Sequence, residues 1–320
     1  MTAPRFGMTI PLDDVPLCSV PDVARELEDL GYTDLWTAEG MGADGFTPLA
    51  AALGVTSSVH LGVAIAPVFT RGPALLAQTA ATMAAMAPGR FTLGLGASSD
   101  VIVEKWNSIP FDKPLSRSRD MLRFLRAALG GERVDEEFAT FAVQGFRAGV
   151  VPEIPPKLLL AGLRGKMLDL AGSHADGAVL NWLSAEDVGR VVPSVRAHGA
   201  DKEIVCRILV APTADADVAR GVARRLIGTY LNVPVYRAFH ADLGRDELEP
   251  MWKLWADGDR SAAVAAIPDH VVDELVVHGP PGVCSEHIAR YVEHGVTVPV
   301  ASLLPVGVDP LEACRALAPS

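Results

Sequence analysis

Cysteine is scarce in this 320-residue chain. Cys18, Cys206, Cys284 and Cys314 are scattered without C-x-x-C spacing, which excludes a disulfide scaffold and a cysteine zinc site and fits a reducing cytoplasm. No metal site is expected. Basic blocks are also missing: 28 Lys and Arg against 39 Asp and Glu leave a net charge of −11, which excludes nucleic acid as the main partner. No uncharged apolar run reaches the ~18–20 residues of a bilayer-crossing helix, so no membrane partner is expected. Met1-Thr2-Ala3-Pro4-Arg5 enters an apolar segment without a basic region and cleavage site, so no secretory signal is expected. What is present is an apolar-rich chain, 49% hydrophobic and 21% charged, whose length suits two domains of ~150 residues or one large α/β barrel. With no Pro/Ser-rich connector, low-complexity tract or short repeat to mark a boundary, residues 1–320 read as a single domain.

Short β-branched runs alternate with Ala/Leu-rich helical runs. The strand-like segments are Phe6–Ile10, Tyr32–Thr37, Leu61–Ala66, Phe91–Leu95, Lys157–Ala161, Gly177–Leu180, Glu203–Val210 and Val298–Leu304. Helical patterns lie between them. Val20–Leu30 is opened by Ser19, Pro73–Ala87 is stopped by Pro88-Gly89, and Leu115–Leu129 is closed by Gly130-Gly131. Phe138–Val143 reads as a small hairpin excursion. Asn232–His270 fits no βα unit and reads as a helical insertion after the seventh strand, and Glu286–His294 as a later helix. Eight nearly all-apolar strands, each followed by a helix, make an α/β-class (β/α)8 barrel, a TIM barrel. A doubly wound sheet is the competitor, but it usually has fewer strands before a domain break.

In such a barrel the reacting groups sit just after the strands. Those segments carry Asp13-Asp14, Ala38-Glu39-Gly40, Thr70-Arg71, Gly96-Ala97-Ser98-Ser99, Gly162-Leu163-Arg164-Gly165-Lys166 and Asn181-Trp182. No Ser-His-Asp set, HExxH or Cys-His pair is among them, and the eight His are dispersed. A mouth of glycine, hydroxyl and amide implies that a cofactor carries the reaction. Gly94 to Ser99 nearly spells a dinucleotide fingerprint, but no helix opens at its last glycine. It reads instead as glycines that relieve crowding, or as backbone that lets a flat ring or phosphate tail approach. Gly162 to Lys166 lies between a strand and a helix, and reads as a phosphate site at a helix start or as an ordinary turn with solvated basic residues. Glu39 and Asp13-Asp14 read as solvated or capping carboxylates, or as acid/base groups. Trp36 and Trp182 adjoin the mouth, Trp36 with core packing as its plainest role.

Several segments together resemble the bacterial luciferase-like superfamily, particularly its branch of F420-dependent oxidoreductases. They are Leu30-Gly31-Tyr32-Thr33-Asp34-Leu35-Trp36, Leu61 to Pro67 with Thr70-Arg71-Gly72-Pro73, Ala87 to Gly96, Ala161-Gly162 through Lys166-Met167, and Ala171-Gly172 through Ala175-Asp176-Gly177. The resemblance implies a (β/α)8 barrel with an insertion after the seventh strand and coenzyme F420, or alternatively FMN, over the mouth. It implies a non-proline cis peptide at Ala64–Ile65, within a bulge that supports the cofactor ring. Cofactor contacts are then expected from Ala64, Ile65 and Ala66, from Gly96, Ala97, Ser98 and Ser99, from Gly162, Leu163, Arg164, Gly165 and Lys166, and from Asn181 and Trp182. The phosphate would fall to the Gly96–Ser99 or the Gly162–Gly165 segment.

One departure from the family pattern bears on chemistry. Related sugar-phosphate and alcohol dehydrogenases place a His directly after the acidic residue ending the second strand, and here the pair is Glu39-Gly40. A further acidic residue of their fourth loop is replaced by Ser99. The resemblance therefore implies reduction: hydride from reduced deazaflavin to an activated C=C or C=N of a small-molecule or peptide-derived substrate. Glu39, Ser99 or water would supply the proton. An FMN-dependent monooxygenase and a non-catalytic barrel subunit are the alternatives. A homodimer is compatible with the family.

Overall fold

The computed structural model describes residues 5–319. Met1 to Pro4, read above for the lack of an export signal, lie outside the described residues, as does Ser320. Eight parallel strands form the wall: β1 (Gly7–Thr9), β2 (Asp34–Thr37), β3 (His60–Pro67), β4 (Phe91–Gly96), β7 (Lys157–Ala161), β8 (Gly177–Asn181), β9 (Glu203–Ala211) and β11 (Val298–Leu303). They pair in the order β1-β2-β3-β4-β7-β8-β9-β11, and β11 returns to β1, so the sheet closes on itself. A closed ring leaves no edge, which rules out the doubly wound alternative.

The hairpin excursion is β5 (Val134–Glu137) paired antiparallel with β6 (Ala142–Phe146), and Phe138 to Phe141 form its turn. Helices α1 (Val20–Asp29), α2 (Thr47–Leu53), α3 (Pro73–Met86), α4 (Pro114–Leu129), α5 (Gly165–His174), α6 (Ala185–Arg196) and α7 (Ala216–Tyr230) follow successive wall strands. Their local signals are ordinary ones. Proline occupies the first turn of α1 to α4, where its missing N–H costs nothing. Ser184 and Asp187 close a capping box on α6, and Asp215 accepts from the Asp217 and Val218 N–H groups of α7. Ser19 makes no side-chain cap, because a 3-10 turn at Leu17–Ser19 leads straight into α1.

Two stretches depart from the expected pattern. The insertion consists of α8 (Pro234–Asp242), α9 (Glu249–Ala256), α10 (Arg260–Ala265) and α11 (Asp269–Leu275), so it runs a few residues past His270. A two-residue strand, β10 (Val277–His278), then pairs with Val210 and Ala211 of β9, too short to show any periodicity. The helix expected from Glu286 is α12 (Pro281–Glu293), which begins at a proline five residues earlier. A final helix, α13 (Pro310–Ala316), ends the fold. The other departure is a π-helical segment, Val101–Trp106, after β4.

Alternation along the strands stacks the barrel interior in layers. At the bottom, Asp34 accepts from Arg5 Nε at 3.0 Å, Arg5 Nη1 donates to Glu203 at 3.1 Å, and Lys157 also pairs with Glu203. In the middle, Trp36 packs with Leu159, Val179, Val205, Val298 and Val300. Trp36 needs Gly62, where a Cβ would lie 2.3 Å from its ring carbons. A second core fills the insertion around Trp252, whose indole N–H donates to the Leu231 carbonyl at 3.0 Å. No helix among the described residues is long and apolar enough to cross a membrane.

Candidate functional site

One step of alternation above the Trp36 layer lie Thr9, Ile65, Gly96, Ala161, Asn181, Arg207 and Ser302, the floor of the mouth at the C-terminal ends of the strands. This floor has two unlike halves. On the β3–β4–β7 side it is small and apolar. The β3 register shifts between Val63 and Ala66, the Ala64–Ile65 peptide is cis, and Ile65 lies over Gly96, where a Cβ would be 2.9 Å from its side chain. Gly94 makes room beneath, since its Cβ would meet the Val63 carbonyl at 2.3 Å. On the β8–β9–β11 side the floor is polar. Arg207 Nη2 donates to Ser302 Oγ at 2.8 Å. Thr9 Oγ1, Asn181 Oδ1 and Arg207 Nε are buried without a hydrogen-bond partner, and buried polar groups are normally satisfied. Three such atoms on one floor are the mark of a surface that completes its bonding with a ligand. The named floor residues include no imidazole, thiol or carboxylate.

Above the polar half stand two phenols. Tyr230 of α7 and Tyr236 of α8 have ring centroids 6.4 Å apart. Burial raises the Tyr236 phenol above its ordinary value, against the opposing pull of an Asn181 hydrogen bond and the Arg207 charge. The phenol therefore keeps its proton near neutral pH.

The expected site residues fall into three groups. Ala64, Ile65 and Gly96 converge on the apolar half of the floor, whereas Ala66 is fully buried in the core behind the sheet and does not reach the mouth, because alternation past the bulge turns it outward. Ala97, Ser98 and Ser99 continue from β4 along the rim. Ser98 holds a left-handed backbone at φ +67°, a conformation that costs a non-glycine residue about 1–3 kcal/mol and gathers at functional sites. Ser99 Oγ accepts from the Ile102 N–H at 3.4 Å, a weak bond that leaves the hydroxyl proton free. Gly162 to Lys166 join β7 to α5 on the adjacent rim. There Gly162 packs so closely under the helix start that a Cβ would touch the Met167 and Leu168 backbone at 3.1–3.2 Å. Arg164 is turned outward to Asp242 of α8 at 2.6 Å, so its charge is already partnered, whereas Lys166 is exposed.

Two more expected residues occupy other roles. Glu39 reaches the mouth, but its carboxylate pairs with Arg71 and accepts from the Gly45 N–H at 3.1 Å, while its own N–H donates to the Ile65 carbonyl at 3.3 Å. Both carboxylate oxygens are thus already engaged by Arg71 and the Gly45 N–H. Glu39 instead ties the loop after β2 and Arg71 to the β3 bulge, with Arg71 stacked over Phe46 at 4.5 Å. Trp182 has φ +59° and is buried in the insertion core, 5.1 Å from Tyr230 between ring centroids. It positions Tyr230 and does not line the open floor. Arg207, Ser302, Thr9 and Tyr236 went unread in the sequence. Arg207 alone left a signal there, a single charge inside the apolar run Ile204–Ala211.

A closed parallel barrel with a rim of glycines and hydroxyls defines a scaffold for a borrowed cofactor. The model of the luciferase-like monooxygenase family matches residues 3–298, and the chain belongs to that family. It is 27% identical over 310 residues, 88% of this chain and 89% of the other, to a Mycobacterium tuberculosis protein named as a candidate coenzyme F420-dependent oxidoreductase. It is 26% identical over 328 residues, 97% of each chain, to the 5,10-methylenetetrahydromethanopterin reductase of Methanolobus tindarius. Among solved structures, the coenzyme F420-dependent tetrahydromethanopterin reductase of Methanopyrus kandleri superposes with a TM-score of 0.82 over 98% of this chain and 97% of that one, at 19% identity.

Proposed function

We propose that this chain is an F420-dependent oxidoreductase working in the direction of reduction, on an activated C=C or C=N of a small molecule. The observation that carries the reading is the divided floor: a flat apolar half built from Ile65, Gly96 and Ala161, facing a polar half with unpartnered atoms. The first half fits one face of a planar ring, and the second fits a polar reactant beside it. Reduced F420, when bound, supplies a hydride from its deazaflavin ring and leaves with two electrons fewer.

The chain itself holds and aims. Glu39 and Arg71 keep the bulge in place from behind. The rim segments Gly96–Ser99 and Gly162–Lys166 offer backbone N–H groups, hydroxyls and Lys166 to a phosphate-bearing tail. Ser99 keeps a free hydroxyl at that rim for the same tail. Relatives named for F420 and for a pterin reductase favour the deazaflavin over FMN. The test is a pair of titrations followed by fluorescence quenching, one with F420 and one with FMN. A turnover assay then follows loss of reduced F420 against enones and imines. Tight F420 binding with anaerobic turnover is expected. Binding of neither cofactor overturns the proposal, and oxygen consumption with reduced FMN alone transfers it to a monooxygenase.

A further inference from the structure

We propose that Arg207 binds the carbonyl oxygen conjugated to the bond being reduced, so that the substrates are α,β-unsaturated carbonyl compounds and the developing enolate pairs with the guanidinium. The inference rests on reading the mouth as a hydride-transfer site, and it adds which half of the mouth the substrate occupies and by which group it is held.

Placement comes first. In the ring of eight strands, β9 lies four positions from β3, so Arg207 faces the Ile65 bulge from the far side of the mouth. A planar cofactor resting on the bulge leaves the reacting molecule between itself and Arg207. The layer beneath is closed by Trp36, Val179, Val205 and Val300. Arg207 nevertheless retains some exposed surface, which can open only upward into the mouth.

The second argument is the missing counter-ion. Three inward or buried arginines here have a carboxylate, Arg5 with Asp34, Arg71 with Glu39 and Arg245 with Asp187 at 2.7 Å, while the half-buried Arg90, Arg117 and Arg196 donate to backbone carbonyls. Arg207 has the Ser302 hydroxyl and no carboxylate within ion-pair distance among the described residues. Its Nε is buried and unpartnered. A desolvated guanidinium without an anion is costly, and the cost is relieved when negative charge arrives. Burial lowers the Arg207 pKa, opposed by the fields of Tyr230, Tyr236 and Asp13. Of those three only Asp13 is a carboxylate, and it makes no ion pair with Arg207, so no negative charge sits directly against the guanidinium. The arrangement suits charge that develops during the reaction and disappears at its end.

The chemistry balances with one proton donor. Hydride adds to the β-carbon, forming a C–H bond as the C=C π pair shifts onto the carbonyl oxygen, which Arg207 holds. The Tyr236 phenol, in the field of Arg207, gives its proton to the α-carbon. It is reprotonated from water with the proton the oxidised cofactor sheds. The substrate gains two electrons and two hydrogens, and the cofactor loses the same.

The test compares the full chain with Arg207→Met and Arg207→Lys, each loaded with F420 and checked for folding by thermal melting. Fluorescence quenching should give F420 affinities within about twofold across the three, since the cofactor rests on the opposite half. The bound ionisation of p-nitrophenol, followed by absorbance against pH, reads the oxyanion site without turnover. In the parent chain and Arg207→Lys it should titrate about one pH unit lower than in Arg207→Met. With 2-cyclohexenone and reduced F420, kcat/KM should fall on the order of 100-fold in Arg207→Met and recover in part in Arg207→Lys. Loss of F420 affinity in Arg207→Met would assign the residue to the cofactor and overturn the inference while leaving the oxidoreductase reading intact. Identical p-nitrophenol titration in all three would overturn it too. Failure of the parent chain to bind F420 or FMN at all defeats the oxidoreductase reading itself.

Discussion

Asp187 is where the insertion is fastened to the barrel, and replacing it by alanine separates two effects whose sizes follow from the geometry. Its carboxylate accepts from the Ser184 N–H at 3.0 Å, while its own N–H donates to Ser184 Oγ at 3.1 Å, which starts α6. The same carboxylate oxygen accepts from Arg245 Nη2 at 2.7 Å. Both partners are buried, with 7% and 4% of their side-chain surface exposed. In Asp187→Ala the Arg245 guanidinium stays buried, left with His240 Nδ1 at 3.2 Å and, as its one carboxylate, Glu274 at 3.1 Å, itself 46% exposed. Stranding one side of a buried pair costs about 3–5 kcal/mol, and losing the cap adds about 1 kcal/mol. Glu274 recovers part, so a loss of about 3–4 kcal/mol is expected. That is a large share of the ~5–15 kcal/mol that holds a typical domain. Urea unfolding followed by tryptophan fluorescence measures it directly, because Trp182 lies just before the cap and Trp252 lies inside the insertion. The double variant Asp187→Ala/Arg245→Met leaves no charge behind and should be more stable than the sum of the single losses implies. A single-variant loss below about 1 kcal/mol, the range of a solvated pair, would refute the reasoning, as would strict additivity in the double.

Gly62→Ala places a methyl 2.3 Å from the Trp36 ring, and such overpacking should cost about 1–3 kcal/mol. An unchanged urea midpoint would show that Trp36 can move aside. Stability should also fall on mild acidification. Burial, then the Arg245 charge, hold His240 down at about 3, and burial, then the Arg5 charge, hold His60 down at about 4. The unfolded chain thus binds protons that the folded chain refuses. This contribution is complete above the unfolded value of ~6.5 and is lost as pH falls below it, with a slope of up to about 1.4 kcal/mol per pH unit for each group. Urea midpoints at pH 7.5, 6 and 5 test it, and a flat profile contradicts it.

The wall of the barrel was legible because parallel strands covered on both faces are almost continuously apolar. Each of the eight expected segments contains its observed strand core, and the helices between them start and stop at proline, serine, aspartate and glycine. What escaped lacks a period. β10 is two residues long and owes its existence to the end of β9, with which it pairs. The start of α12 sat in plain view at Pro280-Pro281, where a proline in a first turn marks a beginning and not a break. The π-helical segment Val101–Trp106 follows from no local preference that its residues carry.

The site was legible where it is made of backbone and illegible where it is made of side chains that meet across the fold. Gly96 to Ser99 and Gly162 to Lys166 lie at strand ends, so position along the chain was enough to place them on the rim. Glu39 lies at a strand end as well, yet its role is decided by Arg71, 32 residues further on, whose guanidinium converts a candidate acid into a brace for the bulge. The polar half of the floor needs still longer reach, since Thr9, Asn181, Arg207 and Ser302 come from four strands and Tyr236 from the insertion. Arg207 was nonetheless detectable in principle. Charge inside a run such as Ile204-Val205-Cys206-Arg207-Ile208-Leu209-Val210 must be desolvated wherever it points. A barrel strand offers only two directions, outward beneath a helix or inward to the mouth. Val205 occupies the interior core two residues earlier, so alternation sends Arg207 inward, to the one place in a barrel where an unpaired charge can be useful.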